Sequence, residues 1–406
     1  MTQIFVRIVA FVVVTTVLVP TSAAASPNET TAAEAISPNE RLEDSFIFFN
    51  PDGIGAHAFY TPWSMILESG FEEYGSKSLS KLNLARGQSN VIKAIREPTD
   101  TILRYGADNF LYQQLLPIAA LTGGPPSYLP NYLWHLIGGG FRFRLMSEYY
   151  IYHGFEYPKL MSWLTLYAGH WINEAVQAQD FQGGSADALA DLFVFDWLGK
   201  VLFMSTPVAE FFAEFFHLRD WTFQTSYDPI SNTLINTGQL YWARVELYQG
   251  LSISSLTGHT VNAFNLTYSS DDQATQYSLG LGLQANRFTV LENDDLTPAG
   301  FRWCFLATYS ENDNPIVVVV GKEALPDNNL YEITASGEEV LRRDNYSLAP
   351  SLQVNIYPKW FEAFGEKLAV HLTWEQEAFF IGLGHGSLPV GLTLSTPRKE
   401  KYRDDF

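Results

Sequence analysis

The stretch Tyr277–Ala285 reads YSLGLGLQA, and a period of two sorts it into unlike faces. Tyr277, Leu279, Leu281 and Leu283 fall on one face; Ser278, Gly280, Gly282 and Gln284 fall on the other. Side chains alternate across a strand, so this pattern is a strand with a greasy face and a small polar face. LPVGLTLST repeats it, with Leu388, Val390, Leu392 and Leu394 opposed by Pro389, Gly391, Thr393 and Ser395. LAVHLTWEQ sets Leu368, Val370, Leu372 and Trp374 against Ala369, His371, Thr373 and Glu375. QLYWARVEL, NAFNLTY, FRWCFLATY, LQVNIY and EAFFIGLGH add strands, and PIVVVV a more continuously apolar one. Residues 239–396 are therefore expected to form an antiparallel β domain of roughly eight to ten strands. Repeated glycine on the non-apolar face favours the narrow lumen of a small transmembrane barrel, with lipid on the apolar face. A periplasmic sheet domain, polar face in water, is the alternative.

Upstream the period lengthens to that of helices, so the fold class is α+β: an N-terminal helical bundle over 46–224, a linker of turn formers over 225–238, then the β domain. FYTPWSMILESGFEEY starts a helix with Thr61 as N-cap and Pro62 in its first turn. DTILRYGADNFLYQQLLPIAAL predicts a second. Further helices are expected over Asn131–Tyr152, Pro158–Ala178, Ala186–Phe203 and Pro207–Phe216. Gly138, Gly139 and Gly140 lie inside a helical pattern, where close helix packing is their use. Arg142, Arg144, Glu148, His170 and Glu174 interrupt these helices, so none is a clean membrane span.

The chain has 406 residues, 15% aromatic and only 17% charged, with a formal net charge of −19. That balance argues against nucleic acid as a partner, which needs basic patches. The first 25 residues run from Arg7 through an apolar stretch to Ala23-Ala24-Ala25, the order of a secretory signal. Residues 26–45 read as a flexible leader and 397–406 as a charged tail. Cys304 stands alone and cannot form an internal disulfide. Together these features predict an exported protein of a Gram-negative envelope, in the outer membrane or the periplasm. Its expected partner is an outer-membrane lipid or a cell-wall component.

The chemistry-bearing residues gather between His135 and Asp196. His170 and Glu174 are four apart and share a helical face, as do Asp187 and Asp191. Three helices are thus able to point His135, the His170–Glu174 pair and the Asp187–Asp191 pair at one place. His135, His170 and Glu174 are candidate metal ligands, and with Asp187 and Asp191 they are the candidate acid-base groups. The bland alternative is a structural or ligand-binding network, in which Arg142 or Arg144 bridges Glu174 or Asp191 and Glu148 and Asp196 complete the pairing. Asp187, after Gly183-Gly184-Ser185, is also a candidate helix cap. No H-E-x-x-H, G-x-S-x-G or phosphate loop is present, so neither cofactor nor reaction is specified. His217 and Asp220 are candidates to pair with the bundle, and His371 with His385 to form a lumen pair.

Residues 131–203 resemble the helical core of VanZ-like proteins and of small YfiM-type periplasmic lipoproteins. The resemblance rests on His135, the glutamate in HWINEAVQ (Glu174), and Asp187, Asp191 and Gly199 in SADALADLFVFDWLG. The chain departs from that pattern at Leu133-Trp134, in having His170, and in the longer Asp191-to-Gly199 spacing. The resemblance implies a cell-envelope role, with some such proteins linked to glycopeptide tolerance, and no settled chemistry. Two functions from different classes follow: a structural or ligand-binding envelope component, and an envelope enzyme, metal-dependent or acid-base, acting on lipid or cell-wall material.

Overall fold

Thr61 caps the first long helix as its sequence requires. Its hydroxyl accepts from the Ser64 N–H at 3.1 Å, and Ser64 Oγ accepts from the Thr61 N–H at 2.9 Å. This reciprocal capping box, with Pro62 in the first turn, sets the start of α1 (Pro62–Gly70). The computed structural model describes residues 46–72, 78–116, 130–258, 261–270, 274–290, 296–323, 331–333, 339–341, 350–359, 367–375 and 378–396. The expected signal, leader and charged tail lie outside them.

The helices that follow are α2 (Leu84–Arg96), α3 (Pro98–Tyr105), α4 (Gly139–Tyr152), α5 (Pro158–Gln177), α6 (Ala186–Ala190), α7 (Asp196–Phe203) and α8 (Thr206–Glu214). α2 was not among the helices expected. Gly87, inside it, is a packing residue: a Cβ there would collide with the backbone of Ala175 on α5. The single helix expected from Asp100 is broken at Gly106, whose φ of 100° stops α3. Three described stretches are π-helical: Phe110–Leu115, Asn131–Gly138 before α4 and Asp191–Phe195 between α6 and α7. α5 runs through the bundle and packs on α1, α2 and α4. Phe141, Phe143, Leu145 and Met146 of α4 meet Met65, Leu166 and Phe203 in its core. Gly140 and Gly199 let α4 and α7 touch backbone to backbone, the close packing expected of the glycine run.

The strands are β1 (Arg219–Asp220), β2 (Ser226–Asp228), β3 (Thr233–Ile235), β4 (Leu240–Tyr248), β5 (Leu251–Gly258), β6 (Val261–Ser269), β7 (Thr275–Val290) and β8 (Leu296–Glu311). They continue as β9 (Asn314–Lys322), β10 (Tyr331–Ile333), β11 (Glu339–Leu341), β12 (Ser351–Ile356), β13 (Leu368–Glu375), β14 (Ala378–His385) and β15 (Gly391–Ser395). β10 and β11 pair apart. The other 13 form one sheet in the order β1-β4-β5-β6-β7-β8-β9-β12-β13-β14-β15-β2-β3. The α+β class stands, but the sheet is larger than the eight to ten strands expected, and its ladder is open, ending on β1 and β3. The expected helical domain and linker are corrected as well: β1 falls before residue 224, and β2 and β3 occupy the stretch read as linker. Short polar strands such as these carry too few alternations to register as a period.

The polarity of the sheet is inverted relative to a water-soluble one. Phe264, Leu266, Tyr268, Leu279, Leu281, Trp303, Ile381 and Leu383 stand exposed, while Ser254, Thr267, Ser278, Ser310, Asn355 and Thr393 are buried. The buried hydroxyls satisfy one another: Ser254 bonds Thr267 at 2.6 Å, and Thr267 bonds Ser278 at 2.8 Å. Elsewhere the inner face is apolar, with Trp221 stacked on Trp242 at 3.9 Å beside Phe59 of the 3₁₀ turn Gly55–Phe59. α7 shows the same inversion. Its exposed side carries Trp197, Leu198, Val201 and Leu202, and its charged residues Asp196 and Lys200 are buried. No helix among the described residues is long and apolar enough to cross a membrane.

Candidate metal centre

Asp191 and Asp196 are five residues apart, a spacing that an α-helix turns to different sides. The π-helical stretch Asp191–Phe195 pairs i with i+5, and so brings both carboxylates round to the same side of the helix. Asp187 sits one turn earlier on α6, whose cap is Ser185: its hydroxyl accepts from the Ala188 N–H at 3.1 Å. The capping alternative for Asp187 therefore falls to Ser185, and the half-buried Asp187 side chain lies with Glu174 and Asp191. The π-helical stretch Asn131–Gly138 carries His135. α5 supplies His170 and Glu174 from one face, as their spacing of four predicts.

These elements bring the five candidates together with Asp196. His135, His170 and Asp196 place ligand atoms within 4.8 Å of one another, and so do Glu174, Asp187 and Asp191. His135 joins the two groups: its Nε2 is 3.3 Å from Asp191 Oδ2 and its Nδ1 3.5 Å from Asp196 Oδ1. His170 Nδ1 bonds Asp196 Oδ2 at 2.5 Å, and Lys200 Nζ lies 3.6 Å from the same oxygen. Lys200 was missed from the sequence, although its spacing of four from Asp196 is that of a helical ion pair.

The electrostatics differ sharply between the two groups. Burial by itself would raise Asp196, but His170 and Lys200, with hydrogen bonds from both histidines, hold its carboxyl well below the usual range. Burial lowers His170, against the pull of Asp196. In the other group, burial pushes Glu174 well above the carboxylate range, and the charges of Asp187 and Asp196 push the same way. Asp187 is raised by burial too, with His135 and a hydrogen bond from Gln114 opposing. Glu174 is fully buried, and neither of its oxygens has a hydrogen-bond partner among the described residues. A buried carboxylate costs several kcal/mol unless something cationic or donating meets it.

The expected arginine bridges do not form. Arg142 is spent at the helix–sheet junction, 2.9 Å from Asp220, 3.7 Å from Glu68 and 2.5 Å from Thr222 Oγ1. Arg144 pairs with Glu148 at 2.7 Å. Glu148 Oε2 in turn accepts from the N–H groups of Ile47, Phe48 and Phe49, which ties the start of the described chain to α4. Arg142 and Glu148 thus stitch distant segments together rather than serving the His–Asp–Glu group. Their partners lie about 80 and 100 residues away, too far for any spacing rule. His217 pairs with Asp313, not with the bundle, at 3.4 Å. His371 and His385 form no pair, because the β13–β14 register sets His371 opposite Gly382 and His385 opposite Leu368, on opposite faces of the sheet.

Chemically, this arrangement offers a cation up to four carboxylates and two imidazoles, a set suited to a divalent transition metal. It offers no thiolate. Compared with family models, curated proteins and solved structures, the chain matches none.

Proposed function

We propose that the chain is a Gram-negative envelope protein whose helical half binds a divalent metal and uses it on lipid or cell-wall material. The observation that carries the metal reading is Glu174. A closed structural network would pair each buried carboxylate with arginine or backbone N–H, yet among the described residues Glu174 has neither, and Arg142 and Arg144 are engaged elsewhere. A divalent cation would offset the charge of Glu174, Asp187 and Asp191 together. It would also give an envelope enzyme its Lewis acid, with a neighbouring carboxylate able to take a proton. The resemblance to VanZ-like proteins supports the envelope role and adds nothing on chemistry.

Seating in the outer membrane through a barrel-like sheet belongs to the same proposal. Its support is polarity. Large apolar side chains stand exposed on β4 to β8 and again on β12 to β15, a spread that a hydrocarbon solvent covers more readily than one protein partner. The stretch Arg219–Asp228 pairs with β4 at its start, through β1, and with β15 at its end, through β2, so the strands at the two sides of the ladder share one piece of chain.

Elemental analysis of the purified protein beside a Glu174→Ala variant tests the metal. A stoichiometric transition metal lost in the variant is the expected result; no metal, with the variant merely less stable, would return the cluster to a structural role. A heat-modifiable gel shift in outer-membrane fractions is expected, and clean release by osmotic shock would sink the membrane placement.

A further inference from the structure

We infer that the centre holds one divalent cation on Glu174, Asp187, Asp191 and Nε2 of His135, and that Asp196 orients His135 without touching the cation. This rests on the metal reading above and adds which atoms bind and how many ions they take. Charge divides the six side chains. Asp196 is already met by His170 at 2.5 Å and by Lys200 at 3.6 Å. Nothing comparable meets Glu174, which is fully enclosed with both oxygens unpartnered among the described residues and placed with Asp187 and Asp191 inside 4.8 Å. An acidic trio with two buried members and one half-buried, and with the buried Glu174 unpartnered among the described residues, is a cradle for a cation, unlike an acidic patch in water.

His135 closes the fourth side. Its Nε2 faces the trio at Asp191, 3.3 Å away, and its Nδ1 faces Asp196 at 3.5 Å. A neutral imidazole carries one N–H and one lone pair. With the proton on Nδ1, the ring donates toward Asp196 and turns the Nε2 lone pair on the trio. With the proton on Nε2, the ring would instead donate to Asp191, 3.3 Å away, and leave no lone pair on the trio's side for a cation. The first tautomer is the carboxylate–histidine–metal arrangement that fixes ring orientation in metal sites. His170 is excluded as a ligand through Nδ1, since that atom is committed to Asp196. Three carboxylates and one imidazole make a predominantly oxygen set, which suits Mn²⁺ or Fe²⁺ ahead of softer ions.

The test is titration of the detergent-solubilised, metal-free full chain with Mn²⁺, read by electron paramagnetic resonance. One Mn²⁺ per chain is expected, with spin-echo modulation from a single directly bound imidazole nitrogen. That modulation should vanish in His135→Gln and persist in His170→Gln. Glu174→Gln should abolish binding, whereas Asp196→Asn should keep one site and weaken it by roughly 10–100-fold, the range for an orienting partner. Circular dichroism confirms that each variant is folded. Two Mn²⁺ per chain, nitrogen modulation lost with His170 instead of His135, or an Asp196→Asn variant as dead as Glu174→Gln would overturn the assignment. Folded wild-type protein that takes up none of Mn²⁺, Fe²⁺ and Zn²⁺ would overturn the metal reading itself.

Discussion

Glu68 stands 3.7 Å from Arg142, yet burial outweighs that guanidinium and pushes its carboxyl up to about 8. Asp220, closer to the same arginine at 2.9 Å, repels it further. Since the folded-state value lies above the unfolded one, the folded chain holds a proton between about pH 4.5 and 8 that the unfolded chain has released. Stability therefore falls as pH rises through that window. Glu68→Gln should flatten the fall: equal to wild type near pH 4, and more stable by a few kcal/mol near pH 8.5, at about 1.36 kcal/mol per unit. Thermal unfolding of both proteins across pH 4–9 checks this, and parallel curves would contradict it. Spacing rules find pairs on one helix and little beyond. His170 and Glu174 were placed on one face by counting to four, but the junction of Glu68, Arg142, Asp220 and Thr222 draws on segments no local rule connects.

α7 is the element whose behaviour separates hydrocarbon from water around the helical half. Its charged residues point inward, and all its large apolar residues except Phe203 point outward, the reverse of a helix facing water. If lipid lies outside, Leu198→Glu and Val201→Glu together should reduce folding into phospholipid vesicles substantially, because a charge placed in a bilayer costs on the order of 2–3 kcal/mol. If water lies outside, these exposed substitutions should change stability by no more than about 0.5 kcal/mol. Gly199, on the other side of the same helix, is held by a different constraint. A Cβ there would run into the carbonyls of Leu136 and His135, so Gly199→Val should cost about 1–3 kcal/mol through overpacking. A melting temperature unchanged by that substitution would mean that the helices do not pack at this distance.

Across the whole molecule, the inner side of the sheet is filled. Serine, threonine and glutamine side chains bond one another along it, and Phe59, Trp221, Trp242 and Leu306 pack beside them. Arg244 and Asp313 close the polar end with bonds of 2.9 and 3.1 Å. A β structure whose inner face is packed with side chains is a core there and not a pore. Protein reconstituted into planar bilayers should accordingly show no steady ion conductance, and a stable open channel would refute the filled interior. The function proposed for the molecule thus sits in the helical half, with the sheet as its seat.

The sequence by itself determined what depends on a few neighbouring residues. The Thr61 cap, most helix and strand runs, the packing glycines near Gly140 and the face shared by His170 and Glu174 all follow from backbone periods and local hydrogen bonds. It also showed that the strands have two unlike faces. It did not show which face is inside, because alternation is symmetric until a partner covers one side. The tertiary structure decided that, together with the parallel contact of β15 with β2, the packing of α2 on α5 through Gly87, and the π-helical turn that aligns Asp191 with Asp196. It also decided that Arg142 serves Asp220 while Glu174 is left to its carboxylate neighbours. Apart from the π-helical turn, these are pairings across tens to hundreds of residues, set by which surfaces exclude water together, and no short window of sequence contains both partners.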